Sequence, residues 1–279
     1  MIKTISKSDF ERALPIGTSA QNNVYEMVLP EVESQFDLLN EQILGSAGCD
    51  MFDEAAEDSV LRRNYIRMVV VTAFLSVMRQ LDLVLTPTGF GVVSNDNVSP
   101  ASKQRVDALE SQLRNTLFVS QALVFNELRS KSWGDTSQAV SNIQTLYDEY
   151  EYLRRKGTSV DAGEWVKIQQ PLRDADIFLR KKVSDEQMDA FMKLYRENDK
   201  DGLDIRSMVI MHIKNFYSEW CFVSPGHAAG YLLRKIISSM EKPSEAEYYK
   251  EYLSSDAYKT NHHENFSNTK ESSAFMFNG

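Results

Sequence analysis

The stretch TPTGFGVVSNDNVSP, residues 86–100, lies between two segments that read as long helices, and its reading decides the fold. Two glycines, Gly89 and Gly91, give a G-x-G spacing. A dinucleotide site requires G-x-G-x-x-G between a strand and a helix. Here Ser94 stands where the third glycine belongs, and a helix precedes. The phosphate loop G-x-x-x-x-G-K-[ST] is absent as well. The stretch reads better as a β-hairpin over about residues 87–98, with arms GFGVV and NVS around Ser94-Asn95-Asp96. Asn and Asp favour tight turns because their side chains bond the local backbone and tolerate positive φ. A lone two-stranded hairpin is marginal in water and has to lean on something. Phe90, Val92, Val93, Asn95 and Asp96 are therefore candidate partner contacts.

Outward from this stretch the pattern is helical. In residues 30–44, Val32, Phe36, Leu39 and Ile43 share one helix face, and Gly45 and Gly48 then end it. Asp58 or Ser59 caps a helix read to about Leu85, about 40 Å long at 1.5 Å per residue. After the hairpin, Ser99 caps and Pro100 suits the first helical position. Val106, Leu109, Leu113 and Leu117 form the stripe of a helix running to about Leu128. Residues 130–138 read as a loop and a boundary, and residues 140–157 as one helix stopped by Gly157. Further helices are expected over 171–183, 184–197, 204–221 and 225–240.

Two blocks match at an offset of about 140 residues. Val32, Leu38, Leu39 and Ile43 fall on Leu172, Phe178, Leu179 and Val183, and Met68-Val69-Val70 falls on Met208-Val209-Ile210. Both halves reach Val-Ser-Pro, at Val98 and at Val223, where the offset has dropped to 125. The second copy thus lacks about fifteen residues, which correspond to the hairpin stretch. The expected fold is mainly α: a bundle of two related helical units, one short β-hairpin insertion and an extended C-terminal arm. The divisions expected are 1–130, 131–241 and 242–279.

The chain has 279 residues, 42% of them hydrophobic, enough for a real core. The most apolar run, residues 68–78, is far short of the roughly 20 residues that span a bilayer. The first residues have no apolar signal-like stretch, so no secretion signal is expected. Cys49 and Cys221 have no metal spacing and point to a reducing compartment. A net charge of −9 argues against a sequence-independent grip on nucleic-acid phosphates.

Candidate chemistry is sparse. Residues 197–204, ENDKDGLD, imitate a calcium loop: with Gly202 as its glycine, Glu197, Asp199 and Asp201 take the first, third and fifth ligand places. The twelfth place, which needs a bidentate Glu, is Met208. A solvated turn capping the next helix is the plainer reading. His212 lies in an apolar helix, His227 in a helix's first turn, and His262, His263 and Glu264 in a polar tail. They assemble no site. No catalytic residue, cofactor or metal is expected, and the chain does not read as an enzyme. Tyr147, Tyr150 and Leu153 share a face ahead of Arg154–Lys156, which suits either core packing or an interface. Residues 242–268 are too polar to build a core of their own. They tether Ala274, Phe275, Met276 and Phe277, an apolar plug of the kind that docks onto a neighbour.

Residues 74–114, FLSVMRQLDLVLTPTGFGVVSNDNVSPASKQRVDALESQLR, resemble the signature segment of an uncharacterised protein family from Bacteroidales phages and prophages. Residues 174–191, DADIFLRKKVSDEQMDAF, and the short aromatic–glycine ending are similar too. The resemblance implies a virion structural protein, a head–tail connector (adaptor) assembled in the host cytoplasm. It implies a homo-oligomeric ring of about twelve copies by family type. The implied partners are the portal protein and further connector or tail proteins, with no membrane. DNA would pass through an acidic lumen without specific binding. The alternative is a soluble helical adaptor or regulator with no virion role.

Overall fold

A computed structural model describes residues 5–14, 22–81, 83–86, 89–92 and 102–262. Over these residues the chain is mainly α. It forms two compact units: Met1–Gln170 with Met192–Ile205, and Pro171–Phe191 with Arg206–Gly279.

The first unit opens with α1 (Lys7–Ala13), where the Ser6 hydroxyl accepts the Asp9 amide as an N-cap. Then come α2 (Asn22–Leu39), one π turn (Asn40–Leu44) and α3 (Gly45–Glu54). Pro30 does not start α2 but lies inside it. Gly45 takes φ +59 at the join, where a Cβ would meet the Gln138 side chain at 2.8 Å. Gly48 does not end the helix: it lies within α3, packed close to Trp133.

Ser59 caps α4 (Val60–Val77), its Oγ accepting the Arg62 amide at 3.2 Å. Met68, Val69, Val70 and Val71 are buried in succession, so this part of α4 is covered on every side. The helix stops at Val77 rather than near Leu85. A 3₁₀ turn (Met78–Gln80) leads into β1 (Leu83–Thr86), which pairs antiparallel with β2 (Gly89–Val92). Leu83 stands opposite Val92, and Leu85 opposite Phe90. β-branched Val84 and Thr86 and the following Pro87 favour an extended chain over another helical turn. The hairpin expected over 87–98 is not seen. Gly89–Val92 pairs with the residues before it, and 93–101 lie outside the described residues.

α5 (Lys103–Leu128) has Ser102, not Ser99, at its N-cap position and packs along α4 with Leu113, Ala122, Phe125 and Leu128 buried. Residues 129–136 turn back onto this unit. Trp133 is fully buried and its indole donates to the Ile43 carbonyl at 3.0 Å. The segment expected to be one helix is two: α6 (Ser137–Asn142) and α7 (Glu149–Lys156). Between them the Thr145 hydroxyl donates to the Tyr147 carbonyl, and the Asp148 carboxylate accepts the Glu151 amide at 3.0 Å. Asp148 therefore starts a new helix in the middle of a pattern that reads as continuous. Gly157, at φ +55, ends it as expected.

α8 (Ala162–Val183) begins well before Pro171, which lies inside it, and the unit division falls between Gln170 and Pro171. α9 (Asp185–Glu197) returns to the first unit at Met192, followed by α10 (Lys200–Ile205). There the Tyr195 hydroxyl bonds the Asp148 carboxylate at 3.1 Å, and Arg129 lies 4.2 Å from the Tyr195 ring centre.

In the second unit, Ser184 caps the first turn of α9 despite its φ of +122. α11 (Ser207–Phe222) presents Phe216 and Trp220 to Phe178 of α8, with ring centres 6.0 and 5.1 Å away. The Tyr217 hydroxyl donates to Asp176 at 2.6 Å. α12 (Pro225–His227) leads through a π turn (Ala228–Leu232) into α13 (Leu233–Met240). The polar tract beyond 242 is not free of the core. A 3₁₀ turn (Ala246–Tyr249), α14 (Lys250–Leu253) and α15 (Asp256–Asn261) follow, with Tyr249 and Tyr252 fully buried. The Tyr252 amide donates to Gln187, and its hydroxyl to Glu241 at 2.9 Å.

Candidate functional site

The first unit holds an open cleft of about 710 Å³ between α5, the first turn of α7 and the first turns of α8. Phe118 comes from the buried face of α5, Tyr152 from the buried face of α7 and Trp165 from the start of α8. Their rings meet in one cluster, with centres 5.6, 5.7 and 5.3 Å apart. Trp165 and Phe118 also line the cleft, and Val166 stands 71% exposed at its mouth. The start of α8 is held to α5 by the Ala162 amide, which donates to the Asn115 side chain at 2.9 Å.

Two carboxylates flank the aromatic cluster. Glu164 accepts the Tyr152 hydroxyl and lies 2.8 Å from the Lys156 ammonium. These bonds, that of Lys156 foremost, hold its carboxyl below the usual range. Glu149 accepts the Trp165 indole N–H, and no cation among the described residues adds to it. Burial, reinforced by the neighbouring charge of Asp148, pushes Glu149 up to about 8. Asp148 behind it is buried and also raised, because burial outweighs the attraction of Arg129. At the rim, Arg79 bonds both Asp107 and Glu110, and Arg114 reaches Glu110 at 2.8 Å. The two arginines, Arg114 first, hold the Glu110 carboxyl low. The cleft thus joins an aromatic wall to a carboxyl that has no cationic partner among the described residues.

The residues singled out in the sequence lie elsewhere. Phe90 and Val92 sit in β2, in register with Leu85 and Leu83. Val93, Asn95, Asp96, Phe275, Met276 and Phe277 lie outside the described residues, as do His263 and Glu264. In the calcium-like stretch, the Asp199 carboxylate accepts the Gly202 amide and Glu197 pairs with Lys193, so the two are tied to different neighbours. Among the described residues, no group of three or more His, Cys, Asp or Glu is arranged to hold a metal ion. His227 pairs with Glu219 at 2.9 Å and stacks on Tyr231; His262 pairs with Glu241 and stacks on Tyr258. His212 is lowered by burial, then by Lys235 and Lys242. Both cysteines are free thiols, and burial pushes Cys221 up to about 12. No helix among the described residues is long and apolar enough to cross a membrane.

Sequence reasoning missed Glu149 and Trp165. The one available signal was the acidic run Asp148-Glu149, which opens an aromatic helix ending in three cations. Acids at that end complement the helix dipole, so the run reads as ordinary helix capping.

No curated protein and no solved structure matches this chain. Residues 28–143 match the model of a family of unknown function (DUF6712). That match covers less than half of the chain and lies wholly within the first compact unit, from α2 to the end of α6. Over that span the chain is similar to a family whose function is itself unassigned.

Proposed function

We propose that this chain is a phage virion structural protein, a head–tail connector (adaptor) subunit that forms a ring between portal and tail. The observation that carries the reading is the strand pair of residues 83–92. It stands between α4 and α5, inside the segment whose sequence resembles the Bacteroidales phage family. A single two-stranded pair is marginal in water. An insertion of this kind suits contact with a portal or a neighbouring copy, made by Phe90, Val92, Val93, Asn95 and Asp96. The apolar Phe275, Met276 and Phe277 would add a second contact from the tail. Ring subunits make head-to-tail contacts that close, and an acidic chain lets packaged DNA pass without sticking. The matched residues fall in different compact units: Val32 to Ile43 and Met68 to Val70 in the first, Leu172 to Val183 and Met208 to Ile210 in the second, although residues 192–205 between the latter two blocks belong to the first. That supports descent from a duplicated helical unit.

Mass spectrometry of purified virions, followed by electron microscopy of the neck, tests the reading. The expected result is this chain in the particle, as a ring beneath the portal. Intact virions that lack the chain would overturn it and leave the soluble adaptor.

A further inference from the structure

We propose that the cleft between α5, α7 and α8 binds a cationic head group, an ammonium or guanidinium on an apolar stem, with Glu149 as its counter-ion. The inference does not depend on the virion reading.

Three observations converge on it. The first is charge. Among the described residues, each charged group that lines the cleft with Glu149 is already committed or is itself negative. Across the cleft, Arg79 and Arg114 are bound to Asp107 and Glu110. Asp148 precedes Glu149 on its own helix, and Asp161, ahead of α8, accepts the Gly163 amide. The cleft therefore holds an acidic group whose charged form has no cation opposite it among the described residues; the donor it has is the neutral Trp165 indole.

The second is the wall. Trp165 and Phe118 line the cleft, and Trp is the strongest aromatic partner for a cation. The third is size and character. A cleft of about 710 Å³ is within the range of small-molecule sites. Leu117 and Val166 give an apolar path for the stem. A neutral apolar ligand would leave the carboxyl protonated, as in the empty cleft, and an anion would oppose its ionisation. A cation draws the proton off and pairs with the carboxylate.

Binding requires an ionised carboxylate. The neutral carboxyl of the empty cleft loses its proton to solvent as the cation arrives, so charge balances. At pH 7, with Glu149 near 8, nearly one proton leaves per ligand bound.

The test is calorimetric titration of the full chain with butylguanidine and with its neutral isostere butylurea. Measurement at pH 6, 7, 8 and 9, in buffers of differing ionisation enthalpy, counts the protons. The expected result is binding of butylguanidine alone. Its affinity should rise about tenfold per pH unit up to about 8 and then level. Glu149→Gln should weaken binding at least tenfold at pH 8.5. Trp165→Phe, which keeps an aromatic ring but no donor, should weaken it severalfold. An acetyl-Ala-Arg-Ala-amide arm identifies the source: its binding assigns the site to a side chain of a protein partner, its failure to a free amine. Equal affinity for butylguanidine and butylurea, unchanged affinity in Glu149→Gln, or no binding of either cationic probe would overturn the proposal.

Discussion

Glu149 and Glu164 bond different members of one aromatic cluster, Trp165 and Tyr152, and titrate in opposite directions. Glu164 has a lysine and a tyrosine and is held low; Glu149 has an indole and a neighbouring aspartate and is held high. Their surroundings differ: burial is the main cause of the rise at Glu149, whereas Glu164 is partly open to solvent and has a cation within reach. A carboxylate can be desolvated cheaply only where an opposite charge comes with it. The carboxyl that keeps its charge is structural, and the carboxyl that lacks a partner is the one that can take one.

Removing the shared ring breaks the comparison outright and has the largest expected effect. Trp165→Ala should destabilise the first unit by about 3–4 kcal/mol, measured by urea unfolding, because it deletes a buried aromatic from a three-ring contact. Glu149→Gln sharpens the comparison. The folded carboxyl binds its proton more tightly than the unfolded one. Its contribution is therefore fully present below the unfolded value near 4.3 and declines as pH rises toward about 8. The variant should match the parent at pH 4.5. At pH 8.5 it should be more stable by about 2 kcal/mol, after discounting for the water that reaches the cleft. Glu164 has the opposite sign: its lowered carboxyl adds stability at neutral pH, lost as pH falls through its folded value. Lys156→Met should cost only about 0.5 kcal/mol at pH 7, since this pair is partly exposed. That loss should fade as pH falls through the lowered folded value of Glu164.

The α5 stripe and the Ser59 cap were plain in the sequence because both are local rules: an apolar spacing and a hydroxyl before an apolar run. The prolines misled. Pro30 and Pro171 suit a first helical turn, yet both lie inside helices that begin earlier. A helix loses one hydrogen bond at such a residue, which the packing of a long apolar face can offset. The break before α7 was hidden because Tyr147, Tyr150 and Leu153 keep helical spacing across it. Only the side-chain bonds of Thr145 and Asp148 reveal it. Tyr249 and Tyr252 were legible as aromatics in a polar tract but were outweighed by its average composition. The cleft was not legible at all. Its wall comes from residues 118 and 165 and its floor from residue 149, and no local pattern brings those together.

Gly134 lies against the backbone of Arg196, where an added Cβ would come within 2.7 Å, and the Arg196 guanidinium donates to the Gly134 carbonyl. The partners are 62 residues apart, with a segment of the second unit between them. On the ribosome, at about 5–20 residues per second, that interval takes roughly 3–12 s. Through those seconds Asp148 has no Tyr195 and Gly134 has no strand of chain to cover it. The first unit is thus a domain whose closing piece is translated late, and a nascent chain paused before residue 192 would be a natural client for a chaperone.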